Sequence, residues 1–211
     1  MRRITKQAEP PSLTDHRIGS HAFYRNYKEK QDLRQALVDE QRGICCFCME
    51  AIQANYNTMK IAHWEPQSTA PLSELDYANL LGACLGNQGS PKKTQHCDTH
   101  QGNLGLNFNP ANPSFPENEI RYQPDGGIAT DNQALDKDLK TLNLDAAIPK
   151  NERKSVLTSI IEATSRHSDR GQLEAWLSEW NGTSHAGPLK PYCMVGVYWF
   201  RRILAAKAEA T

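Results

Sequence analysis

The spacing of apolar and polar residues predicts a helix near the start of the chain. In residues 28–41 (KEKQDLRQALVDEQ), Leu33, Ala36 and Leu37 recur at the spacing of one helical face. Gly43 follows directly and is the kind of residue that ends a helix. This segment is therefore expected to pack one apolar stripe against the rest of the protein.

The last third of the chain is also predicted to be helical. Residues 132–181 carry helical patterns in three pieces, and Gly182 and Pro188 then interrupt the pattern. A final helix is predicted from Tyr192 to Lys207, and its first part is apolar on nearly every face. A helix without a polar face is normally buried, so we expect this one in the core.

Strand signals are few and lie between the helical regions. The run MKIAH predicts a short strand that ends at His63, and Pro66 and Pro71 then force a loop. Further on, IRYQPDGGIAT predicts a hairpin with an Asp-Gly-Gly turn. Together with the helices, these signals predict an α+β fold that is mainly helical.

Composition narrows the class of protein. The 211 residues are 38% hydrophobic with a mean hydropathy of −0.67, which indicates a polar protein with one modest core. Basic and acidic residues number 24 each, which excludes a polycation that coats nucleic acid. No apolar run is long enough to span a membrane, and no apolar segment follows the basic N-terminus. We therefore expect a cytoplasmic protein without membrane contact.

The chain divides into three predicted regions. Residues 1–27 form a polar, basic arm, residues 28–131 hold the first helix and the motif-bearing core, and residues 132–211 form a helical region. Between Arg2 and Lys30 there are seven basic residues against three acidic ones. The arm is expected either to lie along a phosphate backbone or to remain a solvated tail.

Cysteine spacing predicts a metal site. Six cysteines in a chain expected to stay in a reducing compartment favour thiolate ligands over disulfides. Cys45 and Cys48 have the two-residue gap that lets both sulfurs reach one tetrahedral zinc ion. Cys84 and Cys97 could supply the other pair, because the polar insert between them (LGNQGSPKKTQH) can form a loop without moving its ends. The alternative is a set of scattered reduced thiols.

The two remaining cysteines are not expected to bind this metal. Cys46 lies beside the first pair and cannot easily point in the same direction. Cys193 lies in the apolar part of the last predicted helix, where a free thiol behaves as a small apolar side chain. We therefore expect Cys193 to be a buried core thiol.

Four polar residues interleaved with the cysteines are of the types that phosphodiester hydrolysis needs. The pKa of a histidine lies near neutrality, so His63 could accept a proton from water. Asp98 offers an oxygen ligand suited to Mg²⁺, and His100 offers a nitrogen ligand suited to a softer ion. Asn79 could hold a loop in place or orient the imidazole. Taken singly, each residue also has an ordinary structural explanation, such as a surface histidine or a helix cap.

The order of these motifs resembles the HNH, or ββα-metal, nuclease superfamily. The resemblance covers about residues 44–105 and rests on the segments CCFC, IAHWEPQS, YANLLGAC and HCDTHQGN. The long insert and the QHCDTHQGN segment are most similar to the HNH component of Septu-type and retron-associated antiphage systems. That component typically works beside an ABC-like ATPase.

The resemblance implies a fold, an activity and a role for each residue. The fold would be a small ββα core with a structural zinc clip, wrapped by N- and C-terminal helices. The activity would be metal-dependent cleavage of DNA, in an antiphage complex with an ABC-like ATPase. His63 would be the general base and Asn79 the central asparagine. Asp98 and His100 are both candidates to bind the catalytic Mg²⁺ or Mn²⁺, and His100 supplies the motif's third residue type.

Two positions depart from the family pattern. Many members have an acidic metal ligand directly before the base histidine, where this chain has Ala62. Many also have a lysine four residues after the last cysteine, where this chain has Gln101. Either Glu65 or Asp98 compensates for the missing acid, or the ion is held more loosely, or cleavage is impaired.

Two other functions are compatible with the sequence. The zinc module could be a non-catalytic adaptor that binds nucleic acid or a protein, which Ala62 and Gln101 favour. The His63, Asn79 and Asp98 order argues against an adaptor, because an adaptor does not need these residues. An RNA-directed nuclease is the third possibility, although the sequence offers no aromatic platform for stacking bases.

Overall fold

The protein has an α+β fold, described by a computed structural model that covers residues 1–166 and 169–209. Of the region predicted as helical, residues 167–168 and 210–211 lie outside this description. The helices are α1 Pro11–Arg17, α2 Lys30–Glu40, α3 Cys97–Gln101, α4 Gln133–Thr141, α5 Ala147–Arg166, α6 Arg170–Asn181 and α7 Cys193–Glu209. The strands are β1 Met59–His63, β2 Leu80–Cys84, β3 Arg121–Tyr122 and β4 Ile128–Ala129.

The strands form two small antiparallel sheets. In the first, β1 pairs with β2 so that Met59 lies opposite Cys84 and His63 lies opposite Leu80. In the second, β3 pairs with β4 across the Asp-Gly-Gly turn. The first sheet is followed by the short helix α3, so a strand, a strand and a helix succeed one another along residues 59–101.

Most elements predicted from the hydrophobic pattern are confirmed. The predicted helix over residues 28–41 is α2, the run MKIAH is β1, and the predicted hairpin is formed by β3 and β4. The three helical pieces predicted in residues 132–181 are α4, α5 and α6, and the last predicted helix is α7. Helix α1 and strand β2 were not predicted from periodicity. Helix α1 is short and begins with a proline, which reads as a loop residue in the sequence. All residues of β2 are buried, so the strand has no alternation of apolar and polar positions.

One main core joins all three predicted regions of the chain. Its buried side chains include Met1 and Ile4 from the start, Phe47 from the centre and Val197 from α7. Cys193 is fully buried in this core, as predicted from its apolar helix. A second cluster lies between α1, α2 and β2, and a third lies between α5, α6 and α7.

The close approach of α6 and α7 depends on a glycine. A Cβ atom added to Gly196 would lie 2.4 Å from the indole ring of Trp180. The same indole packs against Phe200, with ring centroids 6.4 Å apart. A side chain at position 196 would therefore separate the two helices and open the third cluster.

The N-terminal segment, predicted as a basic arm over residues 1–27, packs against the rest of the protein through its apolar side chains. Met1, Ile4 and Leu13 are buried, so this segment contributes apolar area to the core. The backbone N–H of Ile4 donates to the carbonyl of Pro110, 2.8 Å away. Apolar residues at the start of a basic segment thus hold it against the protein, while about half of residues 1–27 remain exposed.

A buried carboxylate anchors this segment to α2. The Glu40 side chain is fully buried and accepts from Lys6 Nζ at 2.5 Å, from the backbone N–H of Gln7 at 3.1 Å and from the Tyr77 hydroxyl at 2.9 Å. Lys6 Nζ also donates to the carbonyl of Leu80, the first residue of β2. The ion pair therefore connects the N-terminal segment, α2 and the first sheet.

Two further buried polar side chains fix the loops. Asp138 on α4 accepts from the backbone N–H groups of Asn107 and Phe108, each at 2.9 Å. Arg153 on α5 donates to the carbonyl of Gly126 at 2.7 Å and so holds the β3–β4 turn. Because these groups are buried, their hydrogen bonds are costly to leave unmade. In the part of the chain described, no helix is long and apolar enough to cross a membrane.

We predict that Lys6→Met destabilises the protein much more than Arg17→Met. Removing Lys6 leaves the buried Glu40 carboxylate without its cation, which costs about 3 kcal/mol, the lower end for a broken buried pair. Arg17 pairs with Glu9 on the surface, and loss of an exposed pair costs about 1 kcal/mol or less. Urea denaturation of both variants measures the difference. Equal losses would show that the Lys6–Glu40 pair is effectively solvated.

Candidate metal centre and histidine site

Four cysteines meet at a single buried point. The sulfurs of Cys45, Cys48, Cys84 and Cys97 all lie within 4.8 Å of one another, and all four residues are buried. The Cys45–Cys97 and Cys48–Cys84 sulfur pairs are 3.9 Å and 3.6 Å apart. Four sulfurs around a tetrahedral zinc at a Zn–S distance of about 2.3 Å would be about 3.8 Å apart. The donor set and its spacing therefore fit a structural zinc ion.

The first cysteine pair sits on a tight turn that directs both sulfurs inward. The backbone N–H of Phe47 donates to Cys45 Sγ at 3.5 Å, and that of Glu50 donates to Cys48 Sγ at 3.4 Å. Met49 adopts a left-handed conformation with φ of 71°, which closes the turn. The backbone N–H of Cys46 donates to the carbonyl of Gly82 on β2. The turn is thereby fixed against the sheet.

The second pair comes from two different elements. Cys84 ends β2 and Cys97 begins α3, and the twelve-residue insert forms a loop whose base is closed by a hydrogen bond from the His96 N–H to the Gly86 carbonyl. Gly86 has φ of 58°, and a Cβ atom there would lie 2.1 Å from the His96 carbonyl oxygen. The glycine is thus required for the insert to return to the cluster, and the prediction that the insert forms a loop is confirmed.

The cluster needs a cation for all four sulfurs to be thiolates. Burial raises the pKa values of Cys48 and Cys97. The pKa of Cys84 is also raised, because Cys45 and Cys48 lie beside it, and Cys45 alone has a lowered pKa because the other thiols donate to its sulfur despite its burial. Several thiolates cannot lie so close together in a buried site without a cation. A divalent ion would displace the thiol protons and bind all four sulfurs.

The remaining cysteines have the positions expected of non-ligands. Cys46 is buried, but the group of sulfurs within 4.8 Å of one another does not include it. Burial raises its pKa well above the ordinary value, which keeps it a neutral thiol. Cys193 lies in α7 and is likewise outside the group.

His63 ends β1 and is half-buried beside an aromatic ring. Its Nε2 lies 3.1 Å from the Glu74 carbonyl, and its ring meets that of Tyr24 edge-on at 4.5 Å. A carbonyl oxygen only accepts, so Nε2 carries the proton and Nδ1 keeps its lone pair. Burial lowers the pKa of His63, although the Glu74 carbonyl and the Asp98 charge act in the opposite direction. The lowered pKa favours a neutral imidazole at pH 7. The side-chain nitrogen of Gln67 lies 3.4 Å from Nδ1 and 3.0 Å from Nε2, so the basic nitrogen is in contact with an exposed amide.

Asn79 holds the loop that follows His63. Its side chain is buried, accepts from the Glu65 N–H at 2.7 Å, and donates to the carbonyls of Glu65 at 3.2 Å and Ser73 at 3.0 Å. Three hydrogen bonds from one side chain fix both ends of the loop between β1 and β2. The hydrogen bonds of Asn79 go to this backbone and not to the His63 ring, so of its two predicted roles the geometry matches loop fixation.

Asp98 lies in the first turn of α3 and is paired with a lysine. Its Oδ2 is 3.2 Å from Lys60 Nζ, and the same ammonium donates to the Thr99 hydroxyl at 2.9 Å. Lys60 is on β1, three residues before His63. The Asp98 charge is close enough to favour protonation of His63. Asp98 is thus an oxygen donor near His63, but one already neutralised by a cation.

His100 faces away from this group, toward α4. Its Nδ1 is 2.8 Å from the carbonyl of Thr141 at the end of α4, so Nδ1 carries a proton and donates to this carbonyl. In residues 1–166 and 169–209, three or more His, Cys, Asp or Glu donors within 4.8 Å occur only at the cysteine cluster and at Glu50, Cys84 and His96. The structure therefore does not bring His63, Asp98 and His100 together into one set of ligands.

The two departures from the family pattern occupy buried positions. Ala62 is fully buried in the main core, so a carboxylate at this position of β1 would not be solvated. Gln101 is 2% exposed and donates to the carbonyl of Leu104 at 3.0 Å, while its Oε1 has no partner. Gln101 thus packs inside the protein and does not face a phosphate. Glu65, the other candidate acid, is exposed.

Sequence reasoning missed several residues that surround these sites. Lys30 lies over the Tyr24 ring at 4.6 Å, and its charge acts on His63. Lys60 forms an ion pair with Asp98, and His96 contacts the cysteine cluster. No sequence spacing indicates these contacts, because they join α2, β1 and α3 across the fold. His96 alone had a local signal, since it directly precedes Cys97.

Comparison with models of known protein families finds no match for this chain. Comparison with curated proteins also finds no significant match.

We predict that Cys48→Ser and Cys84→Ser each lower the zinc content and the melting temperature. Either change removes one of four ligands from a buried site whose metal would contribute directly to folding. Cys46→Ala is the matched control, because it removes a neighbouring buried thiol that is outside the cluster. Elemental analysis and thermal unfolding measure both quantities. A Cys48 or Cys84 variant that keeps its zinc and its melting temperature would show that the residue is not a ligand.

Proposed function

We propose that the protein is a metal-dependent HNH-type endonuclease that hydrolyses DNA phosphodiester bonds. The observation that carries the proposal is the placement of a neutral, half-buried His63 at the end of β1, beside a loop fixed by Asn79. Helix α3, which a zinc ion on the cysteine cluster would stabilise, carries Asp98, whose charge acts on His63. A module with only a binding role has no need of a basic imidazole held in one tautomer.

His63 is suited to remove a proton from water. The Glu74 carbonyl holds the Nε2 proton, which leaves Nδ1 as the acceptor, and the Tyr24 ring limits rotation of the imidazole. The exposed Gln67 amide, 3.4 Å from Nδ1, must move aside for the attacking water. A base whose pKa lies below 7 is mostly unprotonated at neutral pH. Water that attacks a phosphorus atom would lose its proton to Nδ1 as the new P–O bond forms.

Asp98 is the residue that would hold the catalytic Mg²⁺ or Mn²⁺. Mg²⁺ is commonly bound by one or two carboxylates, with waters and substrate phosphates as its other ligands, so a single carboxylate near the base fits this chemistry. The ion, when bound, would neutralise charge on the phosphate and the leaving oxygen. Lys60 must then give up its contact with Asp98, and an ammonium so released could pair with a phosphate oxygen.

Positive side chains near His63 favour a polyanionic substrate. Lys30 acts electrostatically on His63, and Lys60 lies on the same strand. Because the chain has no net charge, this local patch gives limited affinity of its own. A partner that brings the protein to DNA, such as the ABC-like ATPase of an antiphage complex, would supply the rest.

A non-catalytic zinc adaptor is the second candidate. The Lys60–Asp98 ion pair favours it, because the carboxylate proposed to hold the catalytic ion is already neutralised. An adaptor would bind DNA or its partner equally well without His63. An RNA-directed nuclease would retain the need for His63 but prefer RNA.

We predict that the zinc-loaded protein nicks or linearises plasmid DNA with Mg²⁺ or Mn²⁺ and that His63→Ala abolishes this. Loss of a general base typically costs about 10²–10⁴ in rate. His185→Ala is the matched control, because His185 is an exposed histidine that contacts Arg42 instead. The proteins are assayed alone and with any ATPase encoded next to them, with a chelator control and with RNA as a second substrate.

The outcomes separate the candidates. Cleavage of DNA that is lost in His63→Ala and kept in His185→Ala supports the nuclease. A folded, zinc-loaded wild type that cuts neither DNA nor RNA under these conditions contradicts it and favours the adaptor. Preferential cleavage of RNA favours the third candidate.

We also predict that cleavage declines as the pH falls below about 6.5, the ordinary pKa of histidine. Burial lowers the pKa of His63, so the base is neutral from that pH upward and becomes protonated only at more acidic pH. The rate should therefore be flat between about pH 7 and 8 with respect to this group. A rate profile measured at constant metal and salt tests this. A rise in rate on acidification would exclude His63 as the base.

A further inference from the structure

The metal centre has a fifth buried donor beside its four cysteines. His96 is 1% exposed, and its Nδ1 lies 3.2 Å from Cys97 Sγ and 4.0 Å from Cys84 Sγ. Its backbone is fixed by the hydrogen bond to Gly86 that closes the insert. The imidazole therefore has one defined position, against the second cysteine pair.

The two cysteine pairs differ in how their sulfurs are hydrogen-bonded. Cys45 and Cys48 each accept a backbone N–H bond, from residues two positions further along the turn. Among the residues that the structure describes, neither Cys84 nor Cys97 has a backbone N–H bonded to its sulfur. The long insert explains this difference, because it replaces the tight turn whose backbone would supply such bonds. The N–H of Cys97 itself is used by the Leu142 carbonyl.

Hydrogen bonds to the sulfurs matter because the charge is buried. Four thiolates around one divalent cation leave a net charge of −2 in a site without solvent. Buried charge is stable only where neighbouring groups compensate for it. Partners that hydrogen-bond to metal ligands commonly fix ligand orientation and metal affinity. The second pair therefore needs a donor that its own backbone does not provide.

We propose that His96 is a positioning residue of the metal centre, whose Nδ1–H donates to the Cys97 thiolate. His96 thereby gives Cys97 a hydrogen-bond donor, as backbone N–H groups do for Cys45 and Cys48. The distance of 3.2 Å from nitrogen to sulfur is that of a hydrogen bond. The four cysteines already complete a tetrahedral site, so His96 acts on the metal through Cys97 and is not itself a ligand. The inference depends on the cysteine cluster and not on the nuclease activity.

The test compares zinc affinity in three variants of the full chain. His96→Leu removes the donor but keeps a side chain of moderate size, and His96→Gln keeps an N–H donor. Gln95→Leu is the control, since Gln95 lies in the same insert but donates to the Ser90 carbonyl. Competition with a chromogenic zinc chelator gives the affinity. The absorption spectrum with Co²⁺ in place of zinc reports the number of thiolate ligands.

We expect His96→Leu to weaken zinc binding by about 10- to 100-fold, the range for lost partners of metal ligands. His96→Gln should restore most of the affinity, and Gln95→Leu should leave it unchanged. The Co²⁺ spectrum should be that of four thiolates in the wild type and in every variant that binds the ion. Unchanged affinity in a folded His96→Leu would overturn the proposal. A wild-type Co²⁺ spectrum of three thiolates and one nitrogen, converted by His96→Leu, would also overturn it by making His96 a ligand.

Discussion

The convergence of four cysteine sulfurs is the constraint on which the central part of the structure depends. The sulfurs come from the turn at Cys45 and Cys48, from the end of β2 and from the start of α3, segments up to 52 residues apart. Helix α3 has only five residues and cannot be stable alone, since short isolated helices are marginal in water. A metal bound by the four thiolates would join the turn, β2 and α3, and would thereby determine where Asp98 lies.

The same sheet connects this cluster to the histidine site. Met59 lies opposite Cys84 at one end of the β1–β2 pair, and His63 lies opposite Leu80 at the other. Four residue steps along a strand span about 13 Å. The metal cluster is thus too far away to take part in chemistry at His63, and its contribution is structural. Lys6 donates to the Leu80 carbonyl, so the N-terminal segment supports the histidine end of the sheet, and a metal bound by the four cysteines would support the other end.

Local sequence signals predicted what depends on local structure. Periodicity predicted α2, α7 and β1, and the two-residue gap predicted the turn at Cys45 and Cys48. Contacts across the fold had no such signal. Residues 1–27 were predicted as an arm from their basic composition. The burial of Met1 and Ile4 had no sequence signal, because these residues form no periodic pattern and are buried only by the surface that they contact. The Lys60–Asp98 pair was equally hidden, since it depends on where α3 packs against β1.

The Lys60–Asp98 pair also determines how the proposed nuclease would be controlled. A divalent ion and an ammonium compete for one carboxylate, so Asp98 is a weak metal site as long as Lys60 stays in place. A DNA phosphate near Lys60 would attract the ammonium, and the carboxylate would then be free at the moment when substrate is present. In the proposed nuclease, such an arrangement would limit metal-dependent cleavage to complexes with DNA already bound. The zero net charge of the chain agrees with the proposal that a partner would supply most of the affinity for DNA.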